Sequence, residues 1–201
     1  MPRSLTRHPL LALAALAAGL YLLAVIGVSL ASRERVLGPG TPKHFCGFYL
    51  DCHRMVALEG VEVRQTLGEL RPTGRFYVVT LRFASDAKRA VMHTGRLSAV
   101  VRGDDGRRLT RVEPAERALA MDPGADVGLP DRPIAPGQHF LTRIVFDIPS
   151  TVTAPRLYVR DTDRYALLTE LFLLGDEDSV LHARTTFTLA TPRATARRHA
   201  G

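Results

Sequence analysis

"RFYVVTLRF", residues 75–83, decides the fold class: Tyr77, Val79, Leu81 and Phe83 recur at every second position, with Thr80 and Arg82 between them. A period of two places alternate side chains on opposite faces of an extended chain, whereas a helix would bring them round every three to four residues. The same period runs outward in both directions. In "VEVRQTL" (61–67) it joins Val61, Val63 and Leu67, and in "RLSAVVR" (96–102) it joins Leu97, Ala99 and Val101. In "HFLTRIVFDIP" (139–149) it aligns Phe140, Ile144, Phe146 and Ile148 before Pro149 ends the run. "PRLYVRD" (155–161) and "RTTFTLA" (184–190) supply two shorter strands, and Asp105-Gly106 between two apolar runs is a hairpin signal. Several short strands separated by Gly, Pro and Asp turns specify an all-β protein, a β-sandwich in which each sheet has one buried and one wet face.

Two segments resist this reading. "YALLTELFLLGDEDS" (165–179) is apolar on both faces, as either a buried central strand or a short helix would be. Residues 111–138 have no clean period and many breakers, and are long for a loop, so a short strand is expected near "ERALAM" (116–121).

At the other end, Pro9 to Ala31 is a run of 23 residues without a charge. About 20 apolar residues cross a bilayer core, against about 7–15 in the apolar part of a signal peptide, so length favours a retained transmembrane helix. Ser29-Leu30-Ala31 has the small-x-small pattern of a cleavage site, so a cleaved signal and a secreted body is the alternative. The expected organisation is a cytoplasmic head (1–8), the membrane helix or signal (9–31), a linker (32–43), a β-sandwich (44–190) and a disordered basic tail (191–201). The short head and the cysteine pair place the body outside the cytoplasm, periplasmic at the bacterial inner membrane.

Charge supports this division. The formal charge is +7, and Arg3, Arg7, Arg33, Arg35 and Lys43 against Glu34, with Arg193, Arg197 and Arg198, account for all of it. Residues 44–190 are therefore neutral overall, without the basic stripe of a nucleic-acid binder. Basic ends flanking an apolar segment suit anionic lipid headgroups.

The body resembles a bacterial family of secreted or anchored immunoglobulin-like β-sandwiches, and is similar in fold to a mycobacterial secreted immunoprotective antigen. "GRFYVVTLRFASDA" (74–87) resembles that family's central strand and turn, and "DDGRRLT" (104–110) its hairpin. "IAPGQHFLTRIVFDIPSTVTAPRLYV" (134–159) resembles its turn, long strand and closing strand. The resemblance covers roughly 60–160 and implies the fold and an extracytoplasmic address. It brings no catalytic residue.

The chain's two cysteines lie in "KHFCGFYLDCHRM" (43–55), at Cys46 and Cys52. Haem attachment needs C-x-x-C-H, and five residues separate these two. An exported domain with two cysteines is expected to join them as a disulfide. Extended, the positions lie about 20 Å apart, so the chain must double back to bring the Cα atoms within about 7 Å. Phe48, Tyr49 and Leu50 on that loop either cap one end of the sandwich core or, held outward, form a candidate contact patch for a partner or the headgroup region. The alternative is a copper or other metal site drawn from His44, Cys46, Cys52, His53 and Met55. Asp122 and Asp126, and the triplet Asp176-Glu177-Asp178, lack the spacing of a calcium loop. With no nucleophile elbow and no phosphate loop, no enzyme and no cofactor are expected. The function expected is binding or scaffolding at the cell envelope, by way of the membrane helix and an unknown protein partner.

Overall fold

The computed structural model describes residues 9–31, 34–45, 52–122, 126–162 and 185–189. In chain order the elements are helix α1 (Pro9–Ala31), strands β1 (Arg35–Leu37), β2 (Pro42–Phe45), β3 (Arg54–Arg64), β4 (Arg75–Ser85), β5 (Met92–His93), β6 (Leu97–Arg102) and β7 (Arg108–Thr110), helix α2 (Glu113–Leu119), then β8 (Asp126–Val127), β9 (Pro133–Ile134), β10 (His139–Ile148), β11 (Arg156–Asp161) and β12 (Thr185–Thr188). Among the described residues two five-stranded sheets form the sandwich, ordered β1-β12-β11-β6-β7 and β2-β3-β4-β10-β8, with β5 and β9 as a separate pair.

The alternation in "RFYVVTLRF" decides the interior. Val79, Leu81 and Phe83 of β4 lie with Ile144, Phe146 and Ile148 of the neighbouring β10 on the inner face of one sheet, and Ala99, Val101, Leu157, Val159 and Phe187 close the core from the other sheet. The 11-residue strand β3 shows why one parity is not enough. Val56 and Leu58 are buried in its first half and Val61 packs on the same core in its second, because a register shift between Leu58 and Gly60 turns the strand over. The hairpin at Asp105-Gly106 forms as expected: Gly106 takes φ +78° and its N–H donates to the Gly103 carbonyl.

Three expectations are corrected. The supposed linker 32–43 contains β1 and the first half of β2, and Leu37 and Lys43 are buried in the sandwich. Gly and Pro mark turns there, not a tether. Second, "ERALAM" belongs to a helix: α2 starts with Pro114 in its first turn, where a proline needs no N–H partner, and buries Ala115, Glu116 and Leu119. Third, the second sheet is not wet on its outer face at this end. Phe76, Val78 and Val145 point away from the main core and pack under Ala115 and Leu119, with Leu67, as a second apolar cluster. A strand with both faces covered loses its clean alternation, and β4 does so where α2 lies on it.

Helix α1 has no acidic residue in its first turn and no basic residue in its last. Among the described residues no helix is long and apolar enough to cross a membrane. The head 1–8, segment 165–179 and the tail 191–201 lie outside the described residues.

Candidate functional site

The cysteine loop enters the sandwich between β2 and β3. Cys46, Phe48, Tyr49 and Leu50 lie outside the described residues, so the structure describes only the flanks of that loop. Cys52 is half-buried and carries no free thiol. Antiparallel pairing of β2 with β3 sets His44 opposite Met55, which brings two of the proposed metal ligands side by side. The histidines are otherwise engaged. His44 Nδ1 lies 3.2 Å from the Cys52 carbonyl, which only accepts, so that nitrogen carries the proton. His53 Nδ1 lies 2.7 Å from Asp86 Oδ1 in an exposed pair. Among the described residues no three His, Cys, Asp or Glu side chains are grouped to share a metal ion.

Between the sheets, where β2 ends and β3 begins, lies a charged junction that the sequence did not single out. Lys43 is fully buried, its Nζ donating to the Val159 carbonyl at 2.5 Å and lying 5.3 Å and 4.9 Å from the ring centroids of Phe45 and Tyr158. The ladder between β11 and β12 takes in Arg156 and Leu157. Two residues further along β11, Lys43 supplies the donor for the Val159 carbonyl. Next to it Arg54 donates Nη2 to Asp161 Oδ2 at 2.7 Å and Nη1 to the Thr94 carbonyl at 2.9 Å, tying β3, β11 and the β5–β6 turn together. No local signal marks these residues, because Arg54 and Asp161 are 107 positions apart and Lys43 and Val159 are 116 apart.

Two of the hollows among the described residues open on the first sheet. One of about 670 Å3 runs along β6 to the start of α2, with Ser98, Thr110, Arg111 and Glu113 as its polar lining. The other, about 570 Å3, is lined by Glu34, Arg102, Asp104, Arg108 and Arg156. At its rim the Thr153 hydroxyl donates to Asp104 Oδ2 and holds that carboxyl below its ordinary value of 3.8. The carboxylates weighed as calcium ligands are in ion pairs, Asp122 with Arg64 at 3.0 Å and Asp126 with Arg132. The triplet at 176–178 lies outside the described residues.

No family model matches this chain, and no curated protein matches it. Two solved structures are similar to it. The yjhA protein of Bacillus subtilis aligns at 10% identity and a TM-score of 0.46, over 76% of this chain and 98% of that one. An uncharacterized β-sandwich protein from Clostridium difficile 630 aligns at 9% identity and a TM-score of 0.42, over 79% and 96%.

Proposed function

We propose that this protein is a single-pass, membrane-anchored module of the bacterial cell envelope, with its β-sandwich outside the cytoplasm and a binding or scaffolding role without catalysis. The observation that carries the reading is the surface of α1. Leu10, Leu11, Leu13, Leu16, Leu20, Leu22, Leu23 and Ile26 are all exposed, Leu10 to 82%. Steps of about 100° per residue spread these positions around the whole helix, and a helix apolar on every side belongs in lipid or in a large protein interior. Taken over the whole uncharged run, Pro9–Ala31, the helix would measure about 35 Å against a hydrocarbon core of about 30 Å.

The rest of the reading follows from that address. Cys52 carries no free thiol and Cys46 is the chain's other cysteine, so we assign a Cys46–Cys52 clip across the loop that presents Phe48, Tyr49 and Leu50. The partner is a protein of the envelope, met through those loop residues or a sheet face. The immunoglobulin-like kinship belongs to this proposal too, on the strength of the sequence patterns in 74–159.

Protease treatment of intact spheroplasts, with intact-mass measurement of the purified chain, tests the reading. The expected result is a body digested from outside, a chain extracted only by detergent, and a mass two hydrogens below that of the reduced sequence. A body shielded in spheroplasts, or two free thiols, overturns it. A chain beginning at residue 32 would make the protein secreted instead of anchored.

A further inference from the structure

The register of the first sheet sets Arg108 of β7 opposite Arg102 of β6, and Arg102 opposite Arg156 of β11. Residues directly opposite share one face, so three arginines stand in a row across about 10 Å of sheet. Like charges so placed repel one another, and a row of them calls for counter-charge. The chain supplies little. Arg156 donates Nη1 to Glu34 at 2.8 Å, while Arg102 lies 5.8 Å over the Tyr158 ring. Asp104, the other acid of the hollow, is already bonded by Thr153. Among the described residues neither Arg102 nor Arg108 forms an ion pair with a carboxylate, although both line the 570 Å3 hollow.

The position of this row is fixed by Glu34. Its carboxylate holds both Arg156 and the Thr186 hydroxyl, so the first residue of the sandwich is fastened beside the row. Three peptide steps separate Glu34 from Ala31, the end of α1, at most about 11 Å of chain. The headgroup zone outside the hydrocarbon is about 5–8 Å deep on each side. A helix that ends at the edge of the hydrocarbon therefore keeps Glu34, and the Arg156 end of the row bonded to it, within reach of the headgroup zone.

We propose that Arg102, Arg108 and Arg156 form a docking face for anionic lipid headgroups, which seats the sandwich on the membrane that holds α1. This rests on the anchored reading above. Arginine forks pair bidentately with phosphate oxygens, and headgroup phosphates are the counter-charge that the row lacks. Because residues 44–190 are neutral as a whole, the attraction comes from this face and not from the net charge of the body.

The test uses the full chain in nanodiscs of phosphatidylcholine alone or with phosphatidylglycerol added, and maps modification of arginines by phenylglyoxal. Arg82, paired with Glu59 on the other sheet, serves as the reference. Arg102 and Arg108 should react about fivefold more slowly in the anionic discs, as expected for a basic side chain at an anionic surface. The difference should vanish at high salt and Arg82 should not change. Equal rates in the two disc types, for a chain that co-elutes with both, overturn the docking face and leave the anchor standing. Equal protection by inorganic phosphate in detergent overturns the lipid assignment in favour of a soluble anion. A chain that fails to co-elute with either disc removes the anchor and the docking face together.

Discussion

The Glu116 carboxylate of α2 accepts the Val145 N–H of β10 at 3.2 Å, and the Val112 N–H just before the helix donates to the Val145 carbonyl at 2.8 Å. Strand β8 covers the neighbouring edge of β10 only at Thr142 and Arg143. The backbone leading into the helix, with Arg111 bridging Phe146, and the Glu116 side chain thus continue the ladder where β8 stops. Arg111 Nε lies 3.3 Å from the same carboxylate.

Glu116 is buried, and desolvation raises its pKa above the ordinary 4.5, against the opposing pull of Arg111 and of the Val145 hydrogen bond. A carboxyl whose native pKa is raised binds more protons folded than unfolded. Its contribution is full below the unfolded value and is lost as the pH climbs through the native one. Glu116→Gln keeps an acceptor for Val145 and removes the titration. Urea melts from pH 4 upward should therefore show the variant gaining on the wild type as the pH rises through the native pKa. A gap that does not vary with pH would contradict the assignment. Glu116→Ala, which leaves the Val145 N–H without an acceptor, should cost about 1–3 kcal/mol.

Lys43→Met keeps most of the volume between Phe45 and Tyr158 but strips the donor from the Val159 carbonyl. The expected loss is about 1–3 kcal/mol, and Lys43→Ala, which also opens a cavity, should lose more, about 2–5 kcal/mol. Chemical denaturation of the two variants side by side checks the order.

Ion pairs at the two ends of the exposure range should part company. The side chains of Arg54 and Asp161 are 12% and 9% exposed, so Arg54→Ala leaves a carboxylate nearly dry and should cost about 3–5 kcal/mol. Arg82 and Glu59 are each about a third exposed, and Arg82→Ala should cost about 1 kcal/mol or less. Equal losses would mean that the inter-sheet junction is wetter than its geometry indicates.

Two glycines separate crowding from backbone conformation. A Cβ on Gly74 would lie 2.6 Å from Pro149 Cα, in a turn where Asp147 accepts from the N–H groups of Thr73 and Gly74. Gly106 sits in open space with φ +78°. Gly106→Ala should cost about 1 kcal/mol from the left-handed backbone alone. Gly74→Ala should cost more than about 3 kcal/mol, because backbone atoms cannot turn aside. Thermal melts of both variants measure the difference.

The alternation of residues 75–83 and 139–148, the hairpin at Asp105-Gly106 and the uncharged helix 9–31 are local properties, and the sequence alone determined them. Each reports the environment of a residue through its near neighbours, so a window of ten residues suffices. The tertiary structure decided everything that depended on a distant neighbour. It made a helix of 113–119, because Phe76, Val78 and Val145 offered an apolar face to cover and Val145 offered an open ladder. It buried Lys43 because a carbonyl at residue 159 lay within its reach. It set three arginines abreast through register between strands that no local pattern aligns. Periodicity tells which face of a strand turns inward, but which strand lies beside it is settled by contacts across a hundred residues, where propensity has no voice.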